Sequence, residues 1–229
     1  MKRIIAITMI LALIFALAGC ASNNNITDST KPTETKAQTE ETTANATGAD
    51  ETTADTAQLG SKALVVYFSR TGEQYGVGVI EKGNTAIVAN IIVEQTGADS
   101  FEILPKADNY PTTYKELTDV AKEEQNNNAR PEIASTVENF DDYDTVYLGY
   151  PIWWGDLPMI CYTFLESYDL SGKTIIPFCT HAGSGNAGTQ NKIQSAVPNA
   201  DVKEVLAIVG VDAQNDPDSV KQQVIDWLG

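Results

Sequence analysis

Basic residues are scarce in this sequence. The chain of 229 residues has 15 Lys and Arg against 31 Asp and Glu, a formal charge of −16. Within residues 62–229 the count is 11 against 24, a charge of −13. Such a balance argues against a nucleic-acid partner and against direct adsorption to anionic lipid. Cysteine occurs three times, as Cys20, Cys161 and Cys179, at spacings that match no zinc pattern. Histidine occurs once, as His181. Gly172-Lys173-Thr174 has Ser167 where the first glycine of a P-loop would stand, so the full P-loop pattern is absent, and Gly76-Val77-Gly78 lacks the third glycine of a dinucleotide fingerprint. Around Ser184 the sequence is Ala182-Gly183-Ser184-Gly185-Asn186 rather than Gly-x-Ser-x-Gly, which disfavours a serine hydrolase. The apolar run at residues 4–17 is too short to span a bilayer well.

That run follows Lys2 and Arg3 and ends in Leu17-Ala18-Gly19-Cys20. A charged start and a short apolar core describe a secretory signal, here residues 1–19. Leu-Ala-Gly-Cys resembles a bacterial lipobox. The resemblance implies cleavage before Cys20 and a lipid on its thiol and amino group. Residues 21–60 carry eleven Thr, seven acidic residues and two Lys, with Ile26 and Leu59 as the large apolar side chains. Such a segment cannot bury enough surface to offset its ordering entropy. Residues 20–61 therefore read as a lipidated cysteine and a disordered tether, with a reach of about 35 Å.

The remaining 62–229 is one domain by length. Its first strand, residues 63–68, is Ala-Leu-Val-Val-Tyr-Phe, a short run without polar alternation. A strand of that kind is buried on both faces, which implies a parallel sheet with helices on each side. A helix follows, capped by Asn84 or Thr85, buried through Ala86, Ile87, Val88, Ile91, Ile92 and Val93, and ended by Gly97. Further strands are expected at 100–104, 145–150, 173–179 and 202–211. Further helices are expected at 112–125, 158–168, 186–196 and 217–228, the last with Val220, Val224, Ile225, Trp227 and Leu228 inward. Five strands interleaved with helices predict an α/β fold, a doubly wound five-stranded parallel sheet.

In such sheets ligands sit outside the carboxyl ends of the strands, where the strand order reverses. After the first strand come Ser69-Arg70-Thr71-Gly72, ten further residues, then Gly83-Asn84-Thr85. Hydroxyls beside a helix N-terminus suit a phosphate. After the third strand comes Tyr150-Pro151-Ile152-Trp153-Trp154-Gly155, and after the fourth Thr180-His181-Ala182-Gly183-Ser184-Gly185. Aromatic walls and backbone N–H donors suit a flat heteroaromatic ring.

Three loops in this order resemble the flavodoxin-like FMN-binding family, and the likeness spans most of residues 62–229. The family's hydroxyl-rich loop is here split by the insertion of residues 73–82, a variant associated with a bacterial branch of the family, the flavodoxin-like lipoproteins. The resemblance implies strand order 2-1-3-4-5 with FMN at the switch, the known flavodoxin arrangement. It implies one non-covalent FMN, with Ser69, Arg70, Thr71, Asn84 and Thr85 around the phosphate. Which of Ser69, Thr71, Asn84 and Thr85 touch it stays open. Pro151, Ile152, Trp153, Trp154, Gly155, Thr180, His181, Gly183, Ser184 and Gly185 would hold the ring. Successive side chains alternate in an extended segment, so one Trp is expected at the ring and the other partly in the core. Trp154 is assigned to the ring. His181 either donates to the flavin or shuttles a proton, or faces water. Arg130 is expected at the surface or as a cap after Asn128 rather than at the flavin. The implied function is electron transfer at the cell envelope, with an unknown redox partner protein and contact with the membrane through the lipid alone. The alternative is an NAD(P)H-dependent quinone or FMN reductase of the same fold.

Overall fold

The computed structural model describes residues 62–229. The signal peptide, Cys20 and the linker lie outside the described residues. The elements, in chain order, start with strand β1 (Ala63–Tyr67), the short strands β2 (Gly72–Gln74) and β3 (Gly78–Ile80), helix α1 (Asn84–Thr96) and strand β4 (Asp99–Glu102). Then come α2 (Tyr114–Asn126), β5 (Thr145–Pro151), α3 (Met159–Ser167), β6 (Thr174–His181) and α4 (Thr189–Ala196). The chain ends with β7 (Asp201–Val202), β8 (Leu206–Val209), α5 (Gly210–Asn215) and α6 (Pro217–Leu228). The main sheet runs β4-β1-β5-β6-β7, with β8 also paired to β6, and every pairing is parallel. This is the expected order 2-1-3-4-5, with the fifth strand in two pieces.

Alternation along each strand sends its side chains into two cores. Leu64, Val66 and Phe68 join Val146, Leu148 and Tyr150 beneath α2, α3 and α4. Val65, Tyr147 and Phe178 meet Val88, Ile92, Val220 and Val224 of α1 and α6 on the other face. Burial on both faces is why these strands read as continuous apolar runs. Ile225, expected inward, is 40% exposed.

The expected fifth strand at 202–211 is corrected. Val202 pairs with Ile175 and Leu206 with Phe178, so four steps on one strand face three on the other. That count is a one-residue bulge. Lys203 N donates to Ile175 O at 2.8 Å. Pro177, two residues further along β6, faces the same neighbour and has no N–H to offer. The strand also stops at Val209, because Gly210 already begins α5. The helix expected at 186–196 starts at Thr189. Thr189 N donates to Asn186 O, and Asn186 Oδ1 accepts from Gly188 N, so Asn186 holds a turn ahead of the helix.

The inserted residues form the antiparallel hairpin β2–β3. It is fastened to the start of α2: Glu73 N donates to Thr112 O at 2.7 Å, and Tyr114 N donates to Glu73 Oε2 at 2.8 Å. A carboxylate on the first N–H of a helix is favoured by charge and by hydrogen bonding.

Candidate functional site

A cavity of about 510 Å³ opens at the carboxyl ends of β1, β5, β6 and β8. Strand order reverses between β1 and β5, so this is the switch point of the sheet. Its walls come from Gln74, Tyr75 and Gly76 of the hairpin, Asn84 of α1, and Tyr114, Leu117, Thr118 and Ala121 of α2. Pro151 to Trp154 and Thr180 to Gly183 supply the other sides, with Val209, Gly210 and Val211 closing the end.

The N-terminus of α1 is built differently from the expected cap. Gly83 precedes the helix and has no side chain to cap it; Asn84 is already the first helical residue. Ser69 fills the gap, its Oγ accepting from Ala86 N at 3.0 Å. Gly83 makes this possible, because a Cβ there would sit 2.2 Å from Ser69 Oγ and 2.6 Å from Arg70 O. Asn84 Oδ1 is taken by Gln214 Nε2 at 2.8 Å. Thr85 points inward, 1% exposed, with its hydroxyl 2.9 Å from that of Thr180. Arg70 turns away from the cavity: Nη1 donates to Asp108 Oδ1 at 2.8 Å and Nη2 to Tyr110 O at 3.1 Å. Thr71 is exposed and does not line the cavity.

After β5 the chain makes a tight turn. Trp153 N donates to Asp156 O at 2.9 Å and Asp156 N donates to Trp153 O at 3.0 Å. Both central residues have positive φ, +49° at Trp154 and +72° at Gly155. That is the type I′ pattern, and glycine suits the second position. A tryptophan in the first is an outlier that costs on the order of 1 kcal/mol. The turn replaces the extended geometry assumed for the Trp pair. Trp153 packs inward, edge-on to Phe68 at 5.4 Å and to Tyr110 at 5.6 Å. Trp154 is 54% exposed at the cavity wall, and its Nε1 donates to Thr118 O at 2.8 Å.

After β6, Thr180 is buried and its carbonyl accepts from Ile152 N at 2.8 Å, tying the two loops together. His181 Nδ1 accepts from Gly183 N at 3.0 Å. Burial holds the imidazole below its ordinary range, with Asp212 pulling the other way. An accepting Nδ1 on a neutral ring leaves the proton on Nε2. Gly183 has φ +115° and Gly185 +60°, conformations open to glycine. Ser69, Thr85, Gly155, Ser184 and Gly185 do not line the cavity.

A model of the flavodoxin family matches residues 62–224. The chain belongs to the flavodoxin family. Among solved structures, a candidate flavoprotein from Bacteroides uniformis ATCC 8492 is 30% identical, with a TM-score of 0.59 over 72% of this chain and 99% of that one. A second, from Bacteroides eggerthii DSM 20697, is 29% identical, with a TM-score of 0.58 over 74% and 99%. A flavoprotein from Lactobacillus acidophilus NCFM, in complex with FMN, is 21% identical, with a TM-score of 0.54 over 70% and 99%. No curated protein matches the chain.

Against this flavodoxin frame, the structure brings Asn84, Pro151, Ile152, Trp153, Trp154, Thr180, His181 and Gly183 to one cavity. Sequence reasoning missed the hairpin, α2 and Val209 to Val211. The hairpin had a signal: Gly76 and Gly78 frame a turn between short segments. Arg130 lies away from the cavity, donating to both carboxylate oxygens of Glu166 and to the carbonyls of Asn128 and Ala129. Cys161 and Cys179 are buried free thiols.

Proposed function

We propose that residues 62–229 bind one FMN and that the protein carries electrons between protein partners at the outer face of a bacterial membrane. The observation that carries this reading is the cavity at the switch point, bounded by the Trp153–Asp156 turn on one side and the Thr180–Gly183 loop on the other. Its volume falls within the range of cofactor sites. The lining fits the group: an exposed indole for the ring, and a loop with glycines that lets backbone come close to the ring edge. Next to Asn84, and outside the residues that line the cavity, Gly83 leaves room for the Ser69 hydroxyl against the first turn of α1. Ser69 accepts from Ala86 there and keeps its own O–H to donate to a phosphate. Asn84 lines the cavity beside it. A relative of the same fold holds FMN.

Bound FMN supplies reversible redox chemistry. The chain's own residues bind and orient the cofactor. Neutral His181 keeps an Nε2 proton at the cavity wall, and the α2 carbonyl of Thr118 fixes the Trp154 indole. The charge of −13 on residues 62–229 supports a basic redox partner and argues against nucleic acid. Cys20, at the end of Leu17-Ala18-Gly19-Cys20, supports attachment to the membrane through lipid alone.

The test is an absorption spectrum of the purified protein, with bands expected near about 450 nm from bound flavin, and titration of the stripped protein with FMN. A protein without flavin and without affinity for it overturns the reading. Membrane fractionation of Cys20→Ser tests the location: the variant should be released or left as precursor, and a processed, membrane-bound form overturns it.

A further inference from the structure

The turn that carries Trp154 is held from a distance. Lys192 lies on α4, and its Nζ donates to Gly155 O at 2.8 Å and pairs with Asp156 Oδ2 at 2.9 Å. Asp156 is itself pinned by its other oxygen, which accepts from Leu157 N at 2.8 Å and from Tyr162 OH at 2.9 Å. The Asp156 side chain is 17% exposed, so this pair is more shielded than an open surface pair. One ammonium thus holds both the carbonyl of the central Gly155 and the carboxylate at the end of the turn. Trp154 sits between Trp153 and Gly155 at φ +49°. A strained conformation persists only where the surroundings over-determine it.

We infer that Lys192 and Asp156 are positioning residues for the ring end of the cavity, setting the conformation in which Trp154 is presented to the flavin. The inference rests on the FMN reading for its ligand. Neither residue lines the cavity itself. They act through the turn, so their loss is felt by the ring and not by the phosphate.

The test compares Lys192→Met and Lys192→Arg with the wild-type protein. Lys192→Met keeps the aliphatic stem and removes the charge; Lys192→Arg keeps a donor for both oxygens. FMN and riboflavin should each bind roughly tenfold more weakly to Lys192→Met, by the same factor because both carry the ring. The visible circular dichroism of the bound flavin should change as well. Lys192→Arg should recover most of the affinity and the spectrum. Near-ultraviolet circular dichroism of the flavin-free protein reads the turn directly: the tryptophan signal should change in Lys192→Met and return in Lys192→Arg. Unchanged affinity for both flavins, or loss for FMN alone, overturns the inference. So does a Lys192→Arg variant as impaired as Lys192→Met. If the wild-type protein binds neither flavin, the FMN reading falls and takes the ring-end role with it. An unaltered tryptophan signal in Lys192→Met instead removes the positioning role while leaving the FMN reading intact.

Discussion

The hydroxyls of Thr85 and Thr180 meet at 2.9 Å inside the domain, joining the first turn of α1 to the end of β6. Thr180 is 4% exposed, and its carbonyl also holds Ile152. Two loops and one helix terminus of the site are therefore fixed through one residue. Valine at either position leaves the other hydroxyl buried without a partner, which costs about 1–3 kcal/mol. Valine at both removes the orphan. We expect Thr85→Val and Thr180→Val to destabilise singly and the double variant to lose clearly less than the sum. Urea denaturation of the four proteins measures it, and strict additivity would show that the pair is not coupled.

Gly83 is where space decides. A methyl group there meets Ser69 Oγ at 2.2 Å and the Arg70 carbonyl at 2.6 Å, and backbone cannot swing aside as a flexible side chain can. Gly83→Ala should cost about 2 kcal/mol, in the range of an overpacked site. The displaced Ser69 loses Ala86 N–H, so FMN affinity should fall more than that of riboflavin, which lacks the phosphate. Equal losses for the two ligands would move the phosphate away from this junction.

His181 gives the site a pH dependence with a definite sign. Its folded-state pKa lies below the unfolded value because burial disfavours the charged ring. The unfolded chain therefore binds more protons as pH falls, and stability rises with pH across that window. The contribution is whole above the unfolded pKa, about 6.5, and is lost as pH falls through the lower folded value. Protonation of Nδ1 also ends the bond from Gly183 N. His181→Gln should flatten the acid limb of a melting-temperature curve relative to the wild-type protein. Glu102 and Glu124, raised by burial, act on both proteins alike. Parallel curves below about pH 6.5 would contradict this.

Strands β1, β5 and β6 were legible because burial on both faces leaves an unbroken apolar run, and their order was implied by the resemblance of the three loops to the flavodoxin-like family. The loops were legible for a related reason: glycines, hydroxyls and paired tryptophans at strand ends stand out against apolar neighbours. What was hidden depends on contacts far apart in the chain. Thr85 looks like a cap in sequence, yet its hydroxyl turns to Thr180, and Ser69 does the capping from seventeen residues upstream. Ile225 fits the helical period of α6, but the helix rotates Val220 and Val224 inward and leaves it exposed. The bulge between β7 and β8 turns on Pro177 in the adjacent strand, and no local pattern near residue 203 records it.

The two tryptophans should separate stability from ligand binding. Trp153, partly buried, packs against Phe68 and Tyr110 at the edge of the core, so Trp153→Ala should destabilise the domain by about 3 kcal/mol. Trp154 is different. Glycine adopts its positive φ without strain, a relief of about 1 kcal/mol. The lost Nε1 bond to the Thr118 carbonyl costs about as much, 0.5–1.5 kcal/mol. Trp154→Gly should therefore leave stability nearly unchanged while weakening both FMN and riboflavin. An indole stacked on the ring favours the electron-poor oxidised flavin over the electron-rich reduced one. The acidic domain opposes added negative charge in the same direction. Removing the indole should thus raise the reduction potential of the bound flavin, whereas Trp153→Ala should move it little. Denaturation and redox titration of the two variants decide the matter: if Trp154→Gly binds flavin at wild-type affinity and potential, the ring lies elsewhere in the cavity.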